Sequence, residues 1–550
     1  MASEDKIILP EKYYLDNFKY VLEFVLSKYE PLLSDQEIEF ISDFMNFSED
    51  AQCLYVRLSN RKGQFFRKEK LNYPEIPNIS KAAKKLMTNG YLEQRTSVEI
   101  EECYQLINIY TKGEILNFLI PYDLSIDKKL KKEELILFLL ENQFAEDLFE
   151  TFYSDDILTQ GKLDQLDMIK LFFFGHNHGD MSDFVIRDVG HAKFMEIDES
   201  KLGTSFDSRE EAEAVMQLSQ LNKEFYLLEE AVSPLSIYEW FKEIEIRYFL
   251  DLEKARTRAE KLIHKVGYHL EKNKHHEEAL ELYHYSSASP LRERRIRIYN
   301  KQKDFEKSLT LANQILENPN DNKEYYIALD VINKLDKKLK TTTLRQKEGI
   351  TIPVDSSFVH QVEQGALNYF ESRGFNGYHS ENSISRNLFG LFFWDEIFDP
   401  QYNSLHQPLQ RNPSDIYGKD FFEKRKDVIT EKLKSIQSKN QLEKILRKSI
   451  SLHADITNPF VYWSDEMLRA MWVFIDFVKL KALKNLLLDM SLDPKNRSTG
   501  FPDLFVWKEN EYAFYEIKSP NDHLSEKQLY WLERFSEWGI HAEIALVEWV

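Results

Sequence analysis

The stretch Gly500–Pro520, GFPDLFVWKENEYAFYEIKSP, sets three charged side chains, Asp503, Glu516 and Lys518, around an otherwise apolar hairpin. Its two runs, DLFVW and YAFYEIK, are aromatic and partly β-branched and are separated by the polar KENE, the pattern of two strands joined by a tight turn. A two-residue loop at Glu509 and Asn510 pairs Lys508 with Glu511 and, carried along the strands, puts Asp503 opposite Glu516. Residues so opposed have Cβ atoms within about 5.5 Å. Period two places Glu516 and Lys518 on one face and turns Ile517 into the opposite apolar layer. Facing carboxylates repel unless a proton or cation lies between them, and a hard divalent cation such as Mg²⁺ takes carboxylate oxygen together with water and phosphate. Lys518 is then placed to orient an attacking water and to stabilise charge developing on a phosphate. The plain alternative is a surface hairpin with solvated charges. Pro502 and the aromatic density argue instead for a buried one.

Beyond the second run, SPNDHLSEKQLYWLERFSEWG predicts a helix with Ser525 as N-cap and Gln528 at the capping-box position. Lys527, in its first turn, opposes the helix dipole, which suits a nearby phosphate.

The chain of 550 residues is 43% hydrophobic and 30% charged, enough for two to four globular domains. Gly (17) and Pro (16) are scarce, which favours long helices over an all-β architecture. The two cysteines, Cys53 and Cys103, build neither a disulfide framework nor a structural zinc site. No apolar run of about 18 residues occurs and the N-terminus lacks a signal-peptide pattern, so a cytoplasmic protein without a membrane role is expected. A net charge of −20 argues against a uniform electrostatic grip on nucleic acid and leaves only local basic patches for that purpose.

One such patch is Ala51–Tyr73, where Arg57, Arg61 and Lys62 are candidate phosphate contacts interleaved with Tyr55, Phe65 and Phe66. Those aromatics either stack on bases or fill a core, in a helix followed by a strand. The letters His176, Asn177, His178 invite a metal-nuclease reading, but an H-x-H pair lacks further ligands and reads better as a loop. From Leu227 to Lys338 the pattern is continuously helical, and 29 residues separate Ala279 from Ser308 in two similar stretches, a helical-repeat-like array. Arg292, Arg294, Arg295 and Arg297 form a dense basic run inside it. Thr341–Ser357 breaks the helical period. The expected domains are 1–150, helical and DNA-binding; 151–340, the helical array; and 341–550, with a core from about 450.

P-D, then E-x-K on the next strand, then a helix carrying K-Q resembles the PD-(D/E)xK nuclease superfamily. The wording GFPDLFVW, EIKSPNDHLSEKQLYWL and GIHAEIALVEW resembles its VRR-NUC branch and, more closely, the Fanconi-associated nuclease family. GFNGYHSENSISRNLFGLFFWDEIF and LQRNPSDIYGKDFFEKRKDVITEKL extend the resemblance upstream, so that it covers most of the chain. It implies a mainly α protein with a C-terminal α/β nuclease core: a helical N-terminal DNA-binding domain, a tetratricopeptide-like middle and a restriction-endonuclease-like VRR-NUC domain. It also implies a Mg²⁺- or Mn²⁺-dependent enzyme, with one or two ions, that cuts 5′ flaps and trims 5′ ends in interstrand crosslink repair. By resemblance the metal ligands are Asp503, Glu516, the backbone carbonyl of Ile517, and Glu381 from a helix before the core, with Lys518 as catalytic lysine. Taken alone, Glu381 reads as an N-terminal helix carboxylate. Lys527 and Gln528 fall near the cleaved phosphate, and Arg292 and Arg295 where the family holds the DNA 5′ phosphate. No cysteine-rich finger stands at the N-terminus, so ubiquitin binding is not expected, and a bacterial, nucleoid-associated protein fits better than a nuclear one. The competing readings are a Holliday-junction resolvase and a helical-repeat scaffold with an inert nuclease fold.

Overall fold

In the computed structural model, residues 9–96, 102–122, 127, 129–151, 157–176, 179, 181–190, 192–342 and 348–550 are described. Asn177, His178 and Asp180 of the histidine-rich loop lie outside them, as do residues 343–347 of the expected Thr341–Ser357 break. The chain forms two compact units, residues 1–191 with 205–212, and residues 192–204 with 213–550.

In the first unit, apolar residues at helical spacing bury one face each of helices Tyr13–Tyr29 and Asp35–Asn46, while Glu49–Ser59 and Leu163–Phe174 are buried over consecutive positions and so on more than one face. A short antiparallel sheet accompanies them, with β3 (Ile157–Gln160) between β1 (Phe65–Arg67) and β2 (Leu92–Gln94). Because β3 completes that sheet, the unit continues past residue 150, where a first domain was expected to end. Residues 205–212 return to it: Arg209 donates to the nearly buried Glu37, and Tyr29 Oη accepts from the Ser205 N–H at 2.8 Å.

The second unit begins with the helical array. Helices Glu253–Lys272, His276–Tyr283, Leu291–Gln302, Phe305–Glu317 and Asn322–Leu335 pack successively on one another. Ala279 and Ser308 are both fully buried at equivalent positions of their helices, the packing counterpart of the 29-residue offset. The array is followed by a five-stranded sheet of order β4-β8-β7-β6-β5. Its strands are β4 (Ile350–Val354), β5 (Asn376–His379), β6 (Leu504–Lys508), β7 (Glu511–Lys518) and β8 (Ala542–Trp549). β4, β8 and β7 run parallel, while β7, β6 and β5 alternate in direction.

Strand alternation divides the side chains of this sheet. Leu504, Val506, Ala513 and Ile517 join Ile352, Ala545 and Val547 against the helix Val362–Glu371, where Phe370 stacks on Tyr515 at 4.4 Å. The other face carries Phe505 and Phe514, which meet Phe474 of helix Asp465–Phe477, and Phe514 also meets Phe535 of helix Glu526–Trp538. Glu516 and Lys518 therefore point to that second side, towards Glu526–Trp538.

A buried ion pair braces the helical shell of the same unit. Arg425 is 1% exposed and binds Asp415 at 2.6 Å, donates to the Glu396 carbonyl at 2.7 Å and lies over the Tyr402 ring. Removing one partner leaves a buried charge uncompensated, which costs about 3–5 kcal/mol. Asp415→Ala is expected to lower the thermal unfolding midpoint by several degrees, whereas alanine in place of the exposed ion-pair partner Glu443 leaves it unchanged.

Candidate active site

The β6–β7 register matches the one expected from the loop: Lys508 pairs with Glu511 and Leu504 with Tyr515. One step further, Asp503 faces Glu516, and its Oδ2 accepts the backbone N–H of Ile517 at 2.8 Å. That bond anchors the Asp503 carboxylate to the strand carrying the other two charges. Glu516 is fully buried; its Oε1 takes Lys518 Nζ at 2.9 Å and the side-chain amide of Gln528. Its Oε2 is buried with no hydrogen-bond donor. Burial first, and then the negative charge of Asp503, push the Glu516 carboxyl up to about 8. Burial also raises Asp503, against the opposing pull of the Ile517 N–H and Lys518.

The turn between β5 and helix Ser383–Phe392 closes the site. The Asp503 carbonyl accepts the backbone N–H groups of Ser380 (2.9 Å) and Glu381 (3.0 Å). Asn382 Oδ1 accepts from Gly500 (2.8 Å) and Phe501 (3.2 Å), while its Nδ2 donates to Glu381 at 3.0 Å. Glu381 was expected on a helix; it lies on the turn before one, at φ +33°, because Asn382 is spent on the Gly500 loop and the helix starts only at Ser383. Gly500 is required where it stands: it has φ +93°, and a Cβ there would come within 2.5 Å of Lys527 Cβ.

A divalent metal suits this donor set. Carboxylates and a carbonyl are hard oxygen donors, and the unpartnered Glu516 Oε2 beside Asp503 demands a cation or a proton. Among the described residues no three His, Cys, Asp or Glu side chains already converge as a metal-ligand group. The Glu381 carboxylate instead engages Asn382, from which it would have to turn to join Asp503 and Glu516.

The helix Glu526–Trp538 opens with the expected capping box of Ser525 and Gln528. Lys527 bonds Thr499 Oγ1 at 2.8 Å; burial lowers its pKa, and Lys495 and Lys323 lower it further against Asp493 and Asp321. Lys261 is likewise lowered by burial and by Lys495, Arg258 and Lys265. Lys261, Lys323, Lys495 and Lys527 thus lie pairwise within electrostatic reach, Lys261 of Lys495 and Lys527 of Lys495 and Lys323, with Asp493 and Asp321 also beside Lys527. The sequence offered no signal for the first three, since they stand far apart in the chain and share no periodic pattern.

Other candidates are differently engaged. Arg292 is paired with the fully buried Glu324 and donates to the Asn318 carbonyl at 2.9 Å, so it ties two helices of the array together. Arg295 is half-buried, with its Nε lacking a partner. In the first unit Arg57 lies 4.0 Å over Tyr14 and pairs with the buried Glu75, Arg61 reaches Tyr73 Oη at 3.4 Å, and Lys62 is exposed. Tyr55, Phe65 and Phe66 are core residues, so base stacking by them is excluded by burial.

Two family models match the chain, "FAN1, HTH domain" over residues 12–93 and "VRR-NUC domain" over residues 437–549. A Fanconi-associated nuclease 1 homolog of Pseudomonas aeruginosa is 28% identical, with 98% of this chain and 97% of that one aligned. Along nearly its whole length the chain is similar to Fanconi-associated nucleases. A Schizosaccharomyces pombe homolog of this family is 24% identical, with 97% and 91% covered, while the chain spans 62% of the rice homolog. Among solved structures, "paFAN1 bound to 2nt 5'flap DNA with gap" superposes with a TM-score of 0.88 at 25% identity, covering 99% of both chains. The VRR-NUC match and the similarity along the chain mark the protein as a nuclease enzyme, and a VRR-NUC domain implies dependence on a divalent metal. Among the described residues no helix is long and apolar enough to cross a membrane.

The raised Glu516 carboxyl sets a pH dependence for the metal-free protein. A carboxyl whose folded pKa lies above its unfolded value binds more protons when folded, so its contribution to stability falls as pH rises from about 4.5 through about 8. With a chelator present, Glu516→Gln is expected to melt several degrees above the parent at about pH 9 and to converge with it at about pH 5. Thermal melts across that range check it.

Proposed function

We propose that the protein is a structure-specific DNA nuclease that hydrolyses phosphodiesters at 5′ flaps and 5′ ends, with Mg²⁺ or Mn²⁺, in interstrand crosslink repair. The observation that carries the reading is the fully buried Glu516 opposed by the partly buried Asp503, with Lys518 on the same face. Support for the substrate comes from the whole-chain similarity to a protein solved with 5′-flap DNA.

Asp503, Glu516, the Ile517 carbonyl and Glu381 would hold the metal, which supplies Lewis-acid stabilisation and a water of lowered pKa. Lys518 Nζ, 2.9 Å from Glu516, stands ready to orient the attacking water and to meet charge on the phosphate. Ile517 and the apolar layer behind β7 exclude water from the rear of the site and strengthen these electrostatic contacts. Lys261, Lys495 and Lys527 offer a phosphate-binding surface beside it, and contacts of that kind select DNA by shape and charge rather than by base. Arg292, occupied by the buried Glu324, contributes to this surface only by holding helices of the array together.

Asp503→Ala should abolish cutting of a 5′-flap duplex, with a loss of about a thousandfold or more in kcat and flap binding in Ca²⁺ retained. Wild-type cutting by this variant would sink the assignment. Replacing Lys261 and Lys495 together by Glu should weaken flap binding at least tenfold and flatten its dependence on salt, measured by fluorescence anisotropy across a salt series.

A further inference from the structure

Gln528 does more than cap its helix. Its Oε1 accepts the Ser525 N–H at 2.9 Å and Lys518 Nζ at 3.2 Å, while its Nε2 donates to Glu516 Oε1. These contacts permit one orientation of the amide. A backbone N–H and an ammonium are donors only. Flipping the amide would set donors against donors at Ser525 and Lys518. The capping box therefore selects which end of Gln528 meets the buried carboxylate.

We infer that Gln528 is a positioning residue for the metal site. Its amide and Lys518 hold Glu516 Oε1 between them. Glu516 Oε2, buried without a donor and beside the Asp503 carboxylate, is thereby left as the oxygen presented to the cation. The same amide holds Lys518 Nζ on the Glu516 side of the site. Helix Glu526–Trp538 in this way transmits its start position to both side chains, and a phosphate contact by Gln528 is not needed to explain its place. The inference rests on the proposed metal-dependent nuclease reading.

Two variants test it. Gln528→Glu keeps a good capping-box residue, so the cap survives, but sets an oxygen against Glu516. A role confined to capping predicts no effect. Positioning predicts a kcat on the 5′-flap duplex lowered about 10- to 100-fold with KM unchanged. Gln528→Leu keeps the Ser525 side-chain cap but frees Glu516 to rotate, and is expected to weaken Mn²⁺ binding about tenfold in DNA-free calorimetry. Wild-type kcat in Gln528→Glu or wild-type Mn²⁺ affinity in Gln528→Leu would overturn the inference. If Asp503→Ala is inactive while Gln528→Glu cuts normally, this inference fails alone; if Asp503→Ala still cuts, the nuclease site itself is misassigned.

Discussion

Asp503 and Glu516 face one another at the open end of the β6–β7 hairpin, and much of the second unit is arranged to keep two carboxylates where electrostatics would separate them. The Ile517 N–H holds Asp503 from the strand side, and Lys518 with Gln528 holds Glu516 from the helix side. The balance is incomplete, since burial and mutual repulsion push the Glu516 carboxyl up to about 8 and its Oε2 lacks a donor. A site in that condition is suited to a cation, which would replace repulsion with two ligand bonds and remove the incentive to take up a proton.

The same constraint explains the close packing around it. The Asn382 amide joins the turn carrying Glu381 to the Gly500 loop, and the Asp503 carbonyl returns two hydrogen bonds to that turn. Gly500 admits the helix bearing Lys527 because it has no Cβ. Three segments distant in sequence are therefore fixed to one another by backbone groups, whose geometry is less adjustable than that of side chains. Around this fixed centre, an acidic chain of net charge −20 brings Lys495 within electrostatic reach of both Lys261 and Lys527, whose pKa values burial depresses. Local concentration of charge, rather than the average, is what a phosphate backbone meets.

Much of this was legible along the chain. The hairpin register followed from a two-residue loop and period-two alternation, and the capping box of Ser525 and Gln528 from its spacing; both depend on neighbours a few residues apart. The helical array was readable for the same reason, since its 29-residue offset returns small buried residues to matching places. The basic residues carry ties that the linear string does not show. Arg292 and Arg57 look like phosphate contacts in a linear string, yet each answers a buried glutamate, Glu324 at 32 positions' distance and Glu75 at 18. Tyr55, Phe65 and Phe66 alternate with charges as a nucleic-acid surface would, yet they fill the core of the first unit.

By itself the sequence determined which strands pair, which face of β7 bears Glu516 and Lys518, where the helix after it begins, and the family to which these motifs point. Those features are set by backbone periodicity and by contacts between near neighbours. Only the tertiary structure decided that Glu381 lies on a turn and is bound by Asn382, that Gln528 orients Glu516 and Lys518, and that Lys495 comes within electrostatic reach of Lys261 and Lys527. Each of these depends on segments brought together by burial of apolar faces far apart in the chain, and no local pattern encodes the distance between side chains that meet only after the core has formed.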